Sequence, residues 1–344
     1  MKNRIAIAGI ACLFLLCSCA TIHEFPIEVF QPAKVQLDPG IKNVTLVSRN
    51  LKYPNDTLQN YFSRDYKLTK DLKRFNIDSI TTSVCLDSLS AKMKEQARFS
   101  TVTMLPVSTL PKQYAAKITP PSKSFIQKVS SDTKADAVIL LDMFSGFYTI
   151  YPVGEENRSV ARVVTASMWT IFDPARYRIL HHATMIDTLY WDGLDEQDNY
   201  KASSIPNKKA ALEIAAGMAG VKYSKNLLPY WTRVQRSTLS SNLTDFQKAN
   251  QLAKKNKWEE ASAIWQQYTE SNNKNHRLLS LYNLAVASEM DGDIDTAIQL
   301  ITKASTVSSS PFNAMTNRTV RKYAAILAKR KVELEKINSS NYEE

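Results

Sequence analysis

The stretch ADAVILLDMFSGFYTIYP, residues 135–152, is a nearly continuous apolar run, and its reading decides the fold. A strand with one face in water alternates apolar and polar residues. An unbroken run instead suits a central strand covered on both faces. A sheet with helices packed against it is therefore expected around these residues.

The flanking segments agree. In PAKVQLDPGIKNVTLVSRN (32–50) a proline and glycine turn leads into a strand, where Val44, Leu46 and Ser48 alternate with Thr45, Val47 and Arg49. Residues 77–96 place Ile80, Val84, Leu86, Leu89 and Met93 near helical spacing. RFSTVTMLP (98–106) reads as a strand, and 121–131 as a short helix with Phe125, Ile126 and Val129 inward. Downstream, 160–172 and 177–191 read as a hairpin around Asp173-Pro174-Ala175-Arg176, with proline in the second turn position. An alanine-rich helix follows, whose Ala215, Ala216, Gly217 and Ala219 permit close packing on a sheet; TRVQRST (232–238) reads as a last strand. This order predicts a mixed α/β domain over 41–240. Its topology is similar to the N-terminal domains of the Tol-system propeller protein and to the periplasmic domain of the curli-secretion channel lipoprotein.

The remaining third is helical and repeats itself. FQKANQLAKKNKWEEASAIWQQY (246–268) can be laid over LYNLAVASEMDGDIDTAIQLITKA (281–304), with Ala261 and Ala297 standing 36 positions apart. That is close to the tetratricopeptide period of about 34. The pattern resembles that family residue by residue. Ala249 and Ala285 take the small position of the first helix, Ala261 and Ala297 that of the second, and Trp265 and Ile301 the large apolar position four residues on. Tyr268 departs from it, standing where the family usually has alanine. Small residues let paired helices approach while large ones fill the gap between neighbours. The all-α domain is expected over 244–337, with 316–337 as a capping helix carrying Val320, Tyr323, Ile326, Leu327 and Val332. The resemblance implies that an extended peptide or protein binds the concave face of the first helices. Asn283 falls where the family often has a backbone-binding asparagine, and Gln247 is its counterpart in the first repeat.

At the other end, Met1-Lys2-Asn3-Arg4 is basic and residues 5–16 carry no charge. Twelve residues are too few to cross a bilayer, which takes roughly 20, and the pattern is that of a secretory signal. Leu16-Cys17-Ser18-Cys19 resembles the lipobox of bacterial lipoproteins, with an aliphatic residue three places before the cysteine and a small one just before it. The resemblance implies a signal peptide over 1–18, lipid on Cys19 and a lipidated tether over 19–40. Several acyl chains together make a stable anchor. Without 1–18 only Cys19 and Cys85 remain, so no intramolecular disulfide is available once Cys19 carries lipid. The formal charge of +11 falls to +9 when Lys2 and Arg4 leave. No nucleic-acid motif accompanies it, and solvated faces beside a lipid surface account for it.

Chemistry-bearing residues are sparse. The four histidines are His23, His181, His182 and His276, and adjacent strand residues such as His181 and His182 point to opposite faces. No metalloprotease helix, nucleophile elbow or phosphate-cradling loop occurs, so no catalytic residue, metal or cofactor is expected. Asp142, inside the apolar run, and Asp187, on the neighbouring hairpin, are the candidate carboxylate pair through which a hydrolase or sugar-binding enzyme would work.

Leader, lipobox, mixed sheet and short repeat array together resemble a family of Bacteroidetes outer-membrane lipoproteins with C-terminal tetratricopeptide repeats, on segments such as PAKVQLDPGIKNVTLVSRN and LLPYWTRVQR (227–236). Surface-exported lipoproteins of that phylum often carry acidic residues just after the cysteine, whereas Ala20-Thr21-Ile22-His23 is uncharged. The resemblance therefore implies a periplasm-facing position on the outer membrane. The leading expectation is a non-catalytic adaptor or scaffold holding a protein or peptide partner through its repeats. A periplasmic hydrolase and an oligomerising subunit of a secretion or assembly complex are the alternatives.

Overall fold

The computed structural model describes residues 21–54, 61–71, 77–154, 158–307 and 314–339. The expected signal peptide over 1–18 and the expected lipidation residue Cys19 lie outside the described residues. The chain forms a mixed α/β region followed by an all-helical one, and divides into two compact units. One spans 33–229. The other joins 21–32, which holds strand β1 (Thr21–Gln31), to 230–339.

In the α/β unit, the elements in chain order are β2 (Asn43–Ser48), β3 (Leu51–Lys52), β4 (Tyr61–Arg64), β5 (Lys67–Lys70), α1 (Ile77–Glu95), β6 (Thr101–Met104), β7 (Gln113–Tyr114), α2 (Lys123–Thr133), β8 (Ala137–Val153), β9 (Arg158–Asp173), β10 (Arg178–Trp191) and α3 (Lys208–Ser224). The main sheet runs β10-β9-β8-β2-β6, with β2 parallel to β6 and β8, and β8, β9 and β10 a meander. The apolar run is β8, at its centre. Ala137, Ile139 and Leu141 meet Cys85, Leu86, Leu89 and Met93 of α1 and Tyr223 of α3, while Val138 and Leu140 meet Ile126 and Val129 of α2. Both faces are covered, which is why the run is unbroken. Burial pushes the Cys85 thiol far above its usual range, so it stays protonated.

The small residues of α3 serve two neighbours. Ala216 and Ala219 join the core beside the sheet, but Gly220 faces α1. A Cβ there would lie 2.1 Å from the Cys85 carbonyl oxygen. The close approach expected for this helix is thus in part to another helix.

The second unit corrects the domain boundaries. Residues 21–31, read as tether, are a strand, and β11 (Tyr230–Ser240) does not extend the mixed sheet. The two pair antiparallel along their whole length, Thr21 opposite Ser240 and Gln31 opposite Tyr230. Such a ribbon has one apolar face and must bury it. It does so with the helices that follow, α4 (Thr244–Lys254), α5 (Trp258–Gln266), α6 (Lys274–Met290), α7 (Ile294–Thr306) and α8 (Ala314–Ser339). α4–α5 and α6–α7 are consecutive helix pairs, and α8 packs on α7.

Candidate functional site

The helix pairs bring the repeat positions together. Ala249, Ala261, Trp265, Ala285, Ala297 and Ile301 all lie in one core with less than 2% exposure. Tyr268, the departure from the pattern, donates its hydroxyl proton to Asp245 and packs its ring against Phe246. In α8, Val320, Tyr323 and Leu327 are buried as expected, but Val332 is exposed and Glu333 is buried in its place.

α6 is buried on nearly every side, because helices cover one face and the ribbon the other. Asn283, at its centre, has no exposed surface. Its amide oxygen accepts from the Leu239 N–H at 2.8 Å, and its amide nitrogen donates to the Leu239 carbonyl at 2.7 Å. The residue grips a strand by its main chain, as the repeat pattern implies, but the strand is β11 of the same chain. Its role as a free partner-binding group is therefore corrected: both ends of the amide are taken. Gln247, its expected counterpart, is exposed. One turn on, Asn250 is buried and donates to the same Leu239 carbonyl at 3.3 Å. No repeat signal pointed there, since Val286 stands at the corresponding place.

A second, charged clamp lies along the same strand. Arg236 of β11 donates from Nε and Nη2 to the two oxygens of Glu289 on α6, each at 2.7 Å, and the Tyr323 hydroxyl adds a third hydrogen bond at 2.7 Å. Both ion-pair side chains are at most 7% exposed. Burial alone would lower the Arg236 pKa, but its hydrogen bonds and charge pairing with Glu289 outweigh it and raise it. Burial, then the Glu289 charge, push the Tyr323 phenol well up. The signal available in sequence was Glu289 itself, the one carboxylate of this helix. On β1, the Phe30 carbonyl accepts from Arg330, and Gln31 donates to Glu333. Beside them is a cavity of about 230 Å³ lined in part by Ile27, Val29, Leu334 and Trp231, whose indole is 64% exposed.

In the α/β unit the other candidates separate. One edge of β8 pairs with β2 up to Leu141 and with β4 only from Thr149. Between them opens a cavity of about 330 Å³ at the carboxyl ends of β2 and the first part of β8. The chain leaves β2 for β6 on one side and returns to β8 on the other, so this is a topological switch point, where open α/β sheets bind ligands. Lys52 crosses the gap to donate to the Phe144 carbonyl at 2.7 Å.

Asp142 lines this cavity at a β-bulge, 1% exposed. It accepts from Arg49 at 2.8 Å and from the Thr170 hydroxyl at 2.6 Å. That hydroxyl has one proton to give, so His182 Nδ1, 2.9 Å away, is the donor to Thr170. Asp187 is elsewhere, in register with Gly146 across β9 and paired with Lys222 at 2.8 Å. Two strand spacings and four residues put the carboxylates on the order of 15 Å apart. The expected pair is not assembled. Burial, then the neighbouring His182, lower the pKa of His181. No group of three metal-ligating residues occurs among the described residues.

Two families match the chain: a domain of unknown function, DUF8603, over residues 41–238, and another, DUF6340, over 247–329. No curated protein matches. Among solved structures, the PelC dodecamer from Paraburkholderia phytofirmans is 13% identical, covering 60% of this chain and 98% of its own at a TM-score of 0.25. A neuraminyllactose-binding hemagglutinin homolog from Helicobacter pylori is 13% identical, covering 59% and 89% at 0.28. Scores this low identify neither a shared architecture nor a shared activity.

Proposed function

The chain belongs to the DUF8603 family, and we propose that it is a lipid-anchored, periplasm-facing protein of the outer membrane that acts as a non-catalytic scaffold for a protein partner. The observation that supports this is the double clamp. The helix array grips an extended strand by its main chain, as the repeat resemblance implies for a bound peptide, and adds a buried ion pair. The proposal differs from a free repeat groove in one respect. The central helix is occupied by the chain's own ribbon, so the partner meets the surface the ribbon presents. Trp231 is the anchor residue of that surface, because an exposed indole beside an apolar cavity has the character of an interface hot spot.

Crosslinking and affinity capture of the full chain from native membranes test this, with Trp231→Ser in parallel. A partner held by the parent and lost by the variant is the expected result. Capture unchanged by the substitution would refute the ribbon as the contact. A small polar ligand in the β2–β8 cavity is the second reading, favoured by its place at the switch point.

A further inference from the structure

The β4–β5 hairpin carries three features that are unfavourable in water. Asp65 and Tyr66 form its two-residue turn, both left-handed with φ of 48° and 63°. Turns of that kind favour Asn-Gly or Asp-Gly, and a tyrosine there holds its Cβ where bulky residues are rarely found. The side chain does not compensate by burial, since Tyr66 is 74% exposed. Next, Arg64 stands directly opposite Lys67, and like charges in that position repel. Lys70 makes three cations against the single Asp65 in residues 61–70. Finally, Leu68 is 68% exposed, and Val153, at the adjoining end of β8, is 47% exposed.

The turn is also aimed. The Tyr66 hydroxyl donates to the Pro152 carbonyl at 3.3 Å and its ring lies 5.6 Å from that of Tyr151, which fixes the hairpin to the end of β8. Tyrosine and valine thus share one end of the sheet with Arg64 and Lys67, while Leu68 and Lys70 follow along β5, Lys70 opposite Tyr61.

We infer that this hairpin is a membrane contact that seats on anionic lipid headgroups. Each unfavourable feature is offset there. Tyrosine suits the wet–apolar boundary, apolar side chains enter the acyl region, and the opposed cations meet lipid phosphates. An acidic protein surface would satisfy the cations but set Leu68 and Val153 against charge. The inference extends the lipid-anchored reading, yet its test does without the acyl chains of Cys19.

The test is flotation of the full chain carrying Cys19→Ser with vesicles of phosphatidylcholine, alone or mixed equally with phosphatidylglycerol, at low salt. The protein should float with the anionic vesicles only. Lys67→Gln and Lys70→Gln should each weaken binding about fivefold. Tyr66→Gly and Leu68→Ser should weaken it several-fold. Tyr66→Gly should also keep or raise the melting temperature, because glycine suits the turn, so its loss of binding is not unfolding. Failure of the Cys19→Ser protein to float, or variants that float like it, would overturn the inference. Neither outcome touches the anchor, which is judged by whether native membranes retain the parent but not Cys19→Ser.

Discussion

The two units solve the same problem, joining elements far apart in sequence, by opposite means. In the α/β unit the joint between α1 and α3 is a near-contact of backbones: Gly220 leaves no room for even one carbon against Cys85. In the ribbon–helix unit the joint is polar, with Arg236, Glu289, Tyr323, Asn283 and Asn250 bonded across the β11 side. A two-stranded ribbon is marginal by itself and has an edge that could pair with other strands. Apolar contact alone would leave its register along the helices weakly specified. Hydrogen bonds to one particular residue, Leu239, fix it.

The comparison breaks most sharply at Glu289. Glu289→Leu strands the Arg236 charge in the interior and should cost about 3–5 kcal/mol. Hydrogen exchange should show lost protection in β1, β11, α6 and α8 and unchanged protection in α1 and α3. Adding Arg236→Met should recover part of the loss, because the stranded charge is then gone. Next comes the steric joint. Gly220→Val should destabilise by roughly 1–3 kcal/mol or more, with the exchange pattern reversed, α1 and α3 opening first. Equal loss of protection in both units for either variant would remove the distinction between the two joints.

The smallest effect belongs to Asp173 at the β9–β10 turn. Burial would raise its carboxyl pKa, but hydrogen bonds from the Arg176 N–H and guanidinium, with the Arg176 charge and the Ala175 N–H, outweigh it and lower it. A depressed folded pKa gives stability that is present above the unfolded value, about 3.9, and lost as pH falls through the folded one. Asp173→Asn should cost about 1 kcal/mol at neutral pH and flatten the acid limb of a denaturation profile below about pH 4. An unaltered acid limb would show that the turn carboxylate is not coupled to folding.

Local periodicity carried much of the fold. The run at 135–152, the hairpin after it, the helix at 77–96 and the paired helices beyond 244 were all legible, because hydrophobic spacing within one element reports which faces that element buries. The chemistry of Asn283 was legible as well, as a side chain that holds a backbone. Its partner was not, because Leu239 lies 44 positions away and no spacing within α6 encodes it. The short strands β3, β4, β5 and β7, of two or four residues each, carry too little pattern to stand out.

By itself, then, the sequence determined that there is a sheet covered on both faces, a set of paired helices, and the residue types that pack them. Only the tertiary structure decided where β11 belongs, that residues 21–31 are its mate rather than a tether, and that Asp142 and Asp187 stand apart. Those outcomes depend on pairings between distant segments. Such pairings are chosen by how well whole surfaces complement one another, whereas the local pattern says only that each surface needs a cover.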